Sequence, residues 1–295
     1  MAGWKGQSKG TVLGYKIFIF FIKNLGLNAA YALLVFVAAY YFLFSFESTR
    51  NAYVFYRKRL GFSILKSRIN IYKNYFKLGQ TLIDRVAISS GLRHKFTFEF
   101  DGVENIKNML RAGKGGVMFT AHLGNINIAK YFFEEMDDGS VINMIVTDFE
   151  HREIKEYIDS VTKKSKLKFI LIKEDMSHIF EINEALTSNE IIVFAADRHS
   201  EGTKYLTANF LGKPAKFYYG PYRIAARKNL PVVFAYIMKE PNLHYHFYAR
   251  PCKKTNLETQ ELLEIYLDSL EGMVKKYPNQ WFNFYDYWED FEKQA

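Results

Sequence analysis

His122 stands where an apolar run stops. Gly115-Gly116-Val117-Met118-Phe119-Thr120-Ala121 reads as a buried strand, and Leu123-Gly124-Asn125-Ile126-Asn127 after the histidine leads into a stretch of helical character. Open α/β sheets build their sites in crevices at the carboxyl ends of strands, so an imidazole there can serve as a general base. A second candidate follows another apolar run, Ile191-Ile192-Val193-Phe194-Ala195-Ala196, which ends in Asp197-Arg198-His199-Ser200-Glu201-Gly202. A guanidinium at that position is a fork suited to oxyanions. Its bland reading is an ion pair with Asp197. His244 and His246 are two apart on an expected strand and share a face. No Asp, Glu or Cys spacing completes a ligand set with them, so the sequence gives no metal site.

Other chemistries find no support. The glycines at 113, 115 and 116 precede a strand and lack the Gly-Lys-Ser/Thr ending of a phosphate loop. Gly-x-Ser-x-Gly, the nucleophile elbow of many hydrolases, is absent. Cys252 is the single cysteine, which excludes an intrachain disulfide.

The elements that must position these residues alternate along the chain. Strands are expected at 96–100, 142–146, 169–172, 232–238 and 244–250, the last two as a hairpin about Glu240-Pro241-Asn242. Helices are expected at 103–112, 150–164, 177–186, 220–228 and 258–276. The fold class is therefore α/β, a central mixed sheet flanked by helices. Three segments are expected: residues 1–48, apolar and helical; 49–92, a basic helical linker; and 93–295, the domain carrying the chemistry.

Charge and hydropathy point to a lipid surface. Forty Lys and Arg against 31 Asp and Glu give a net charge of +9, and aromatic residues make up 17% of the 295. Such a balance suits an anionic membrane surface, an acidic carrier protein or coenzyme A phosphates. Nucleic acid is excluded as a partner because the basic residues are interspersed through aromatic sequence and no binding motif appears. Leu25 to Phe46 is an uncharged run of 22 residues, about 33 Å as a helix and long enough to span a bilayer. Basic residues flank it on both sides, which gives a single pass no polarity. The expectation is a helical pair, 11–23 and 25–46, embedded in or lying on one leaflet. Trp281, Tyr285, Tyr287 and Trp288 form an aromatic tail, read as packing or an interfacial belt.

Taken in order, these blocks resemble the lysophospholipid acyltransferase superfamily, and more closely its lipid A late-acyltransferase branch and related acyltransferases. The resemblance rests on the His122 block, the strand ending in Asp197-Arg198, Phe210-Leu211-Gly212-Lys213-Pro214-Ala215, Leu230-Pro231-Val232-Val233 and Tyr277-Pro278-Asn279-Gln280-Trp281. It implies a glycerol-phosphate-acyltransferase-like fold and transfer of a fatty acyl group from an acyl-carrier-protein or coenzyme A thioester. The acceptor would be a hydroxyl or amine of a membrane lipid or glycolipid, at the cytoplasmic face of the inner membrane. The thioester donor implies no redox cofactor and no metal. The family signature is His, four residues, then Asp or Glu. His122 matches, whereas Asn127 stands at the acid's position and can orient the ring but cannot neutralise an imidazolium. The expected catalytic set is His122 as base, Asn127 as its orienting partner and Arg198 for developing negative charge. Asp197 or Glu201 could supply the missing acid if the strands are adjacent. Asp197, His199, Glu201, Gly124, Asn125 and Lys213 are the expected substrate-binding residues. The alternative is an impaired or inactive homologue that binds lipid only.

Overall fold

The computed structural model describes residues 12–129, 141–146, 167–172, 175–199 and 202–288. Two apolar helices come first, α1 (Val12–Asn24) and α2 (Leu27–Phe44), broken at Gly26, whose φ of 83° suits a residue without Cβ. Helix α3 (Phe46–Val54) ends in a π-helical turn, Phe55–Arg59. After Gly61, in the left-handed region at φ 67°, comes α4 (Ile64–Ser89). Ser63 caps α4 by accepting a hydrogen bond from the Lys66 amide at 3.3 Å. The stretch expected as a basic helical linker holds most of α3, the π-helical turn and α4.

The sheet follows. Its strands are β1 (Thr97–Asp101), β2 (Gly116–Thr120), β3 (Ile142–Val146), β4 (Leu167–Leu171), β5 (Ile191–Ala195), β8 (Val232–Glu240) and β9 (His244–Pro251), in the order β1-β9-β8-β2-β5-β3-β4. A separate hairpin, β6 (Tyr205–Phe210) and β7 (Lys213–Tyr218), lies between β5 and β8 in sequence. Five strands run parallel; β9 turns back on β8, and β1 pairs parallel with β9. The architecture is an α/β fold with a mixed central sheet, flanked by α5 (Val103–Arg111), α6 (His178–Thr187), α7 (Tyr219–Arg227), α8 (Thr259–Lys276) and the N-terminal helices. The helix expected at 150–164 falls outside the described residues.

Both sheet faces are covered, so β2, β5 and β8 read as unbroken apolar runs. Val117, Phe119, Ile192, Phe194 and Tyr236 point to one core with Tyr222 of α7 and Leu263 and Tyr266 of α8. Met118, Ile191, Val193, Ala235 and Ile237 point to the other, with α1, α2, α4 and α5. Helix α8 starts with a capping box formed by Glu258 and Glu261. Gly79 lets α2 approach α4, because a Cβ there would run into the Leu34 side chain.

Candidate active site

β2 and β5 are neighbours in register, with Thr120 opposite Ala195. His122 and Asp197 each lie two residues beyond that pair, so parallel pairing carries both side chains to the same edge of the sheet. Buried tyrosines take the carbonyls where these strands stop. Tyr266 donates to Thr120 O at 2.7 Å, and Tyr222 donates to Ala196 O at 2.9 Å. The strand ends are therefore fixed before any site chemistry is considered.

Asp197 is fully buried, and its carboxylate is surrounded by donors. Oδ1 accepts from His122 Nδ1 at 2.8 Å and from the His122 amide at 3.0 Å. Oδ2 accepts from Trp281 Nε1 at 3.2 Å and, at 3.5 Å, from Arg198 Nε. Burial works to raise the Asp197 pKa, but the charges of His122 and Arg198, with the His122 hydrogen bonds, hold it well below the usual carboxylate range. The His122 side chain is 32% exposed. Its pKa lies below the ordinary value, first because the ring is desolvated and second because the Arg198 charge opposes protonation; Asp197 works the other way. The result is a neutral imidazole whose Nδ1–H points to a carboxylate, which puts the basic lone pair on Nε2.

Asn127 does not hold the position expected of it. It is exposed on the 3-10 turn Ile126–Ile128, and its amide makes no hydrogen bond to a described residue. The turn points it to solvent because the segment before it is pinned from below. The Gly124 amide donates to Gln280 O and the Asn125 amide to Ile237 O, both at 2.8 Å, and Phe282 N donates to His122 O at 2.9 Å.

A family model for bacterial lipid A biosynthesis acyltransferases matches residues 11–290. The chain belongs to that family. Among curated proteins no sequence matches it. Membership implies acyl transfer from a thioester donor to a lipid acceptor.

In this acyltransferase-family chain the remaining expected residues have different places. Gly124 has φ 73°, and a Cβ on it would strike the Ile237 carbonyl, so its contribution is a close backbone approach. Asn125, expected to face substrate, is 3% exposed and turned inward: its amide donates to Thr81 O at 3.1 Å and Tyr245 OH at 3.2 Å. Arg198 is also buried, donating from Nη2 to Phe282 O at 2.6 Å with its guanidinium 5.5 Å from the Tyr285 ring centre. His199 packs edge-on to Tyr205. Lys213 sits at the turn of the β6–β7 hairpin. Glu201 lies outside the described residues.

Trp281 and Tyr287 were readable only as tail aromatics. Trp281 is 1% exposed and bonds Asp197, and Tyr287 OH donates to the Asp197 carbonyl. Phe210 packs on Trp281, Tyr287 and Trp288, so the hairpin and the C-terminal segment back the carboxylate together. For Trp281 and Trp288 the tail is packing, not an interfacial belt. Only the Pro-Asn-Gln-Trp block hinted at this, and nothing in its spacing connects it to residue 197.

Proposed function

We propose that the chain transfers a fatty acyl group from an acyl-carrier-protein or coenzyme A thioester to a hydroxyl or amine of a lipid or glycolipid, at the cytoplasmic face of the inner membrane. The observation that carries this reading is the His122–Asp197 pair at the ends of adjacent parallel strands. His122 Nε2 takes the proton from the acceptor as its oxygen or nitrogen attacks the thioester carbonyl. The tetrahedral intermediate collapses, the C–S bond breaks, and the imidazolium returns its proton to the departing thiolate. Asp197 holds the ring in the tautomer that leaves Nε2 basic and offsets its charge once protonated. In this scheme Asp197 has the acid's role and Asn127 is a bystander. Arg198 is a positioning residue, supported in that by its bonds to Asp197 and Phe282 O.

Membrane association is supported by an apolar surface on the N-terminal helices. Phe36, Leu43, Phe44 and Phe46 on α2 and α3, and Leu65 on α4, are more than half exposed. Arg50 and Arg68 line a cleft beside them with Phe42, Phe46 and Tyr53. Apolar side chains ringed by cations suit an anionic bilayer interface.

The test is release of thiol and formation of acyl-lipid from matched acyl-carrier-protein and coenzyme A donors. A folded His122→Ala chain is expected to lose a factor of about 100 or more, the loss typical of a general base. Undiminished turnover in that variant removes His122 from the chemistry. No turnover by wild type with any donor favours the lipid-binding alternative.

A further inference from the structure

We propose that Glu99, His244 and His246, with Glu240 beside them, form a binding site for a divalent transition-metal ion of the zinc class, at the opposite side of the sheet order from β3 and β4 and separate from the His122 cluster. Three adjacent strands build it. Glu99 on β1 is directly opposite His246 on β9, His244 lies two residues earlier on the same face, and Glu240 on β8 is opposite His244. The two histidines alone suggested nothing because their partners are about 145 positions earlier and on the next strand, where only sheet pairing could bring them.

The distances separate a ligand set from a hydrogen-bonded cluster. Glu99 Oε2 is 3.6 Å from His244 Nε2 and 3.7 Å from His246 Nδ1, and Glu240 Oε1 is 3.7 Å from the same Nδ1. One donor atom from each of Glu99, His244 and His246 lies within 4.8 Å of the other two. These gaps are too long for hydrogen bonds. They are close to the spacing of about 3.4 Å between ligands that each sit about 2.1 Å from a tetrahedral ion. Two imidazoles with carboxylates are a borderline donor set, suited to zinc, cobalt or nickel rather than to calcium or magnesium.

The surroundings of His244 have the form expected around a ligating histidine, and the far nitrogen of His246 is buried beside a carboxylate. His244 Nδ1 is 2.8 Å from the Thr97 hydroxyl, which turns Nε2 toward Glu99. His246 Nε2 is buried without a hydrogen bond and faces Asp101 Oδ2 at 3.8 Å, while its ring stacks on Tyr248 at 3.9 Å between centres. A ligating histidine commonly gives its far N–H to a hydroxyl or carboxylate, and the His244–Thr97 contact has that form. Arg250 is paired with Asp101, and Tyr277 donates to Glu240 Oε1 at 2.6 Å, so both outer carboxylates are held in place. Around the two imidazoles stand three carboxylates, Glu99, Glu240 and Asp101, against the two nearby cations Arg250 and Lys276.

The experiment uses the full-length chain without a histidine tag, stripped with chelator and then desalted. Zinc is titrated against a chromophoric competitor, and cobalt is added separately to read its visible spectrum. One equivalent of zinc bound in the micromolar range or tighter, with an intense tetrahedral cobalt band, is the expected result. Glu99 is on the edge strand β1 and His244 is the first residue of β9, partly exposed, so Glu99→Gln and His244→Ala should keep the fold, as circular dichroism can check. Each is expected to weaken zinc binding by about 100-fold or more, and Thr97→Val by about tenfold. His122→Ala should leave the affinity unchanged. Absence of stoichiometric binding, wild-type affinity in the Glu99 and His244 variants, or loss of the ion in His122→Ala would each overturn the proposal.

Discussion

An asparagine at position 197 would keep the shape of the site and remove the charge that His122 meets. Asp197→Asn should therefore cost about 10⁴ in turnover, by analogy with the acid of a serine-protease triad, where an amide also presents an NH₂ and holds the wrong tautomer. Asn127→Asp adds a carboxylate to an exposed turn and should change turnover by less than about threefold; a large gain would return the acid's role to position 127. The pH dependence has a definite sign. Because burial and Arg198 keep the His122 pKa below its ordinary 6.5, the neutral base is present at pH 7 and is lost only as pH falls through that lowered value. The acid limb of kcat/KM should accordingly lie below 6.5, and in Asp197→Asn, with the carboxylate that favours the protonated ring gone, lower still. An acid limb above 7 would contradict this. The histidine was legible in the sequence because a strand-end residue is marked by its own neighbours. Its partner was legible only as a conditional second choice: one-dimensional spacing put Asn127 first, and Asp197 could take the acid's place only if the strands before the two residues were adjacent, which the pairing of β2 with β5 makes them.

Among the elements, α2, α4, β8 and β9 meet at a buried ion pair. Lys239 Nζ donates to Asp84 Oδ2 at 2.6 Å, Tyr245 OH donates to the same oxygen at 2.6 Å, and the Tyr31 hydroxyl of α2 donates to Oδ1. Asn125 joins through Tyr245, so the cluster connects the N-terminal helices to the loop after His122. Removing one charge strands the other, and Asp84→Asn or Lys239→Met should each cost about 3–5 kcal/mol in stability. The double replacement should cost clearly less than the sum, which denaturant unfolding of the three variants measures; simple additivity would mean that the pair is not coupled. Most of the described helices and the buried strands were legible from apolar periodicity. The β6–β7 hairpin was not. Its two-residue turn is Leu211-Gly212, at φ 51° and 78°, where Asn-Gly or Asp-Gly would have signalled it. The structure tolerates leucine there with the Leu211 amide donating to Glu271 of α8 at 2.6 Å, a contact no local pattern reveals.

For the whole molecule the question is how a chain of net charge +9 meets its lipid. Helix α2 has a mean hydropathy of 1.9 over 18 residues, about 27 Å of helix against a hydrocarbon core of about 30 Å. Length alone would allow it to cross. Packing argues otherwise: Leu27, Ala30, Leu34 and Ala38 are buried on one face, chiefly against α4, and Tyr31 is tied to Asp84. A helix that crossed alone would give up those contacts and leave basic residues on the far side. Under the proposed function, an embedded position within one leaflet would keep both, and the bare face would carry Phe36, Leu43 and Phe44 into the acyl region. Full-length protein should float with vesicles containing phosphatidylglycerol and stay bound at about 1 M salt, where screening reaches about 3 Å. Phe36→Glu combined with Phe44→Glu should make binding salt-sensitive. To separate lying from crossing, Ser45→Cys at the end of α2, in a Cys252→Ser background, should react with a membrane-impermeant thiol reagent applied from the cytoplasmic side only. Labelling from the opposite side would show that α2 crosses, and complete release of the wild-type chain by salt would show that no part of it is embedded.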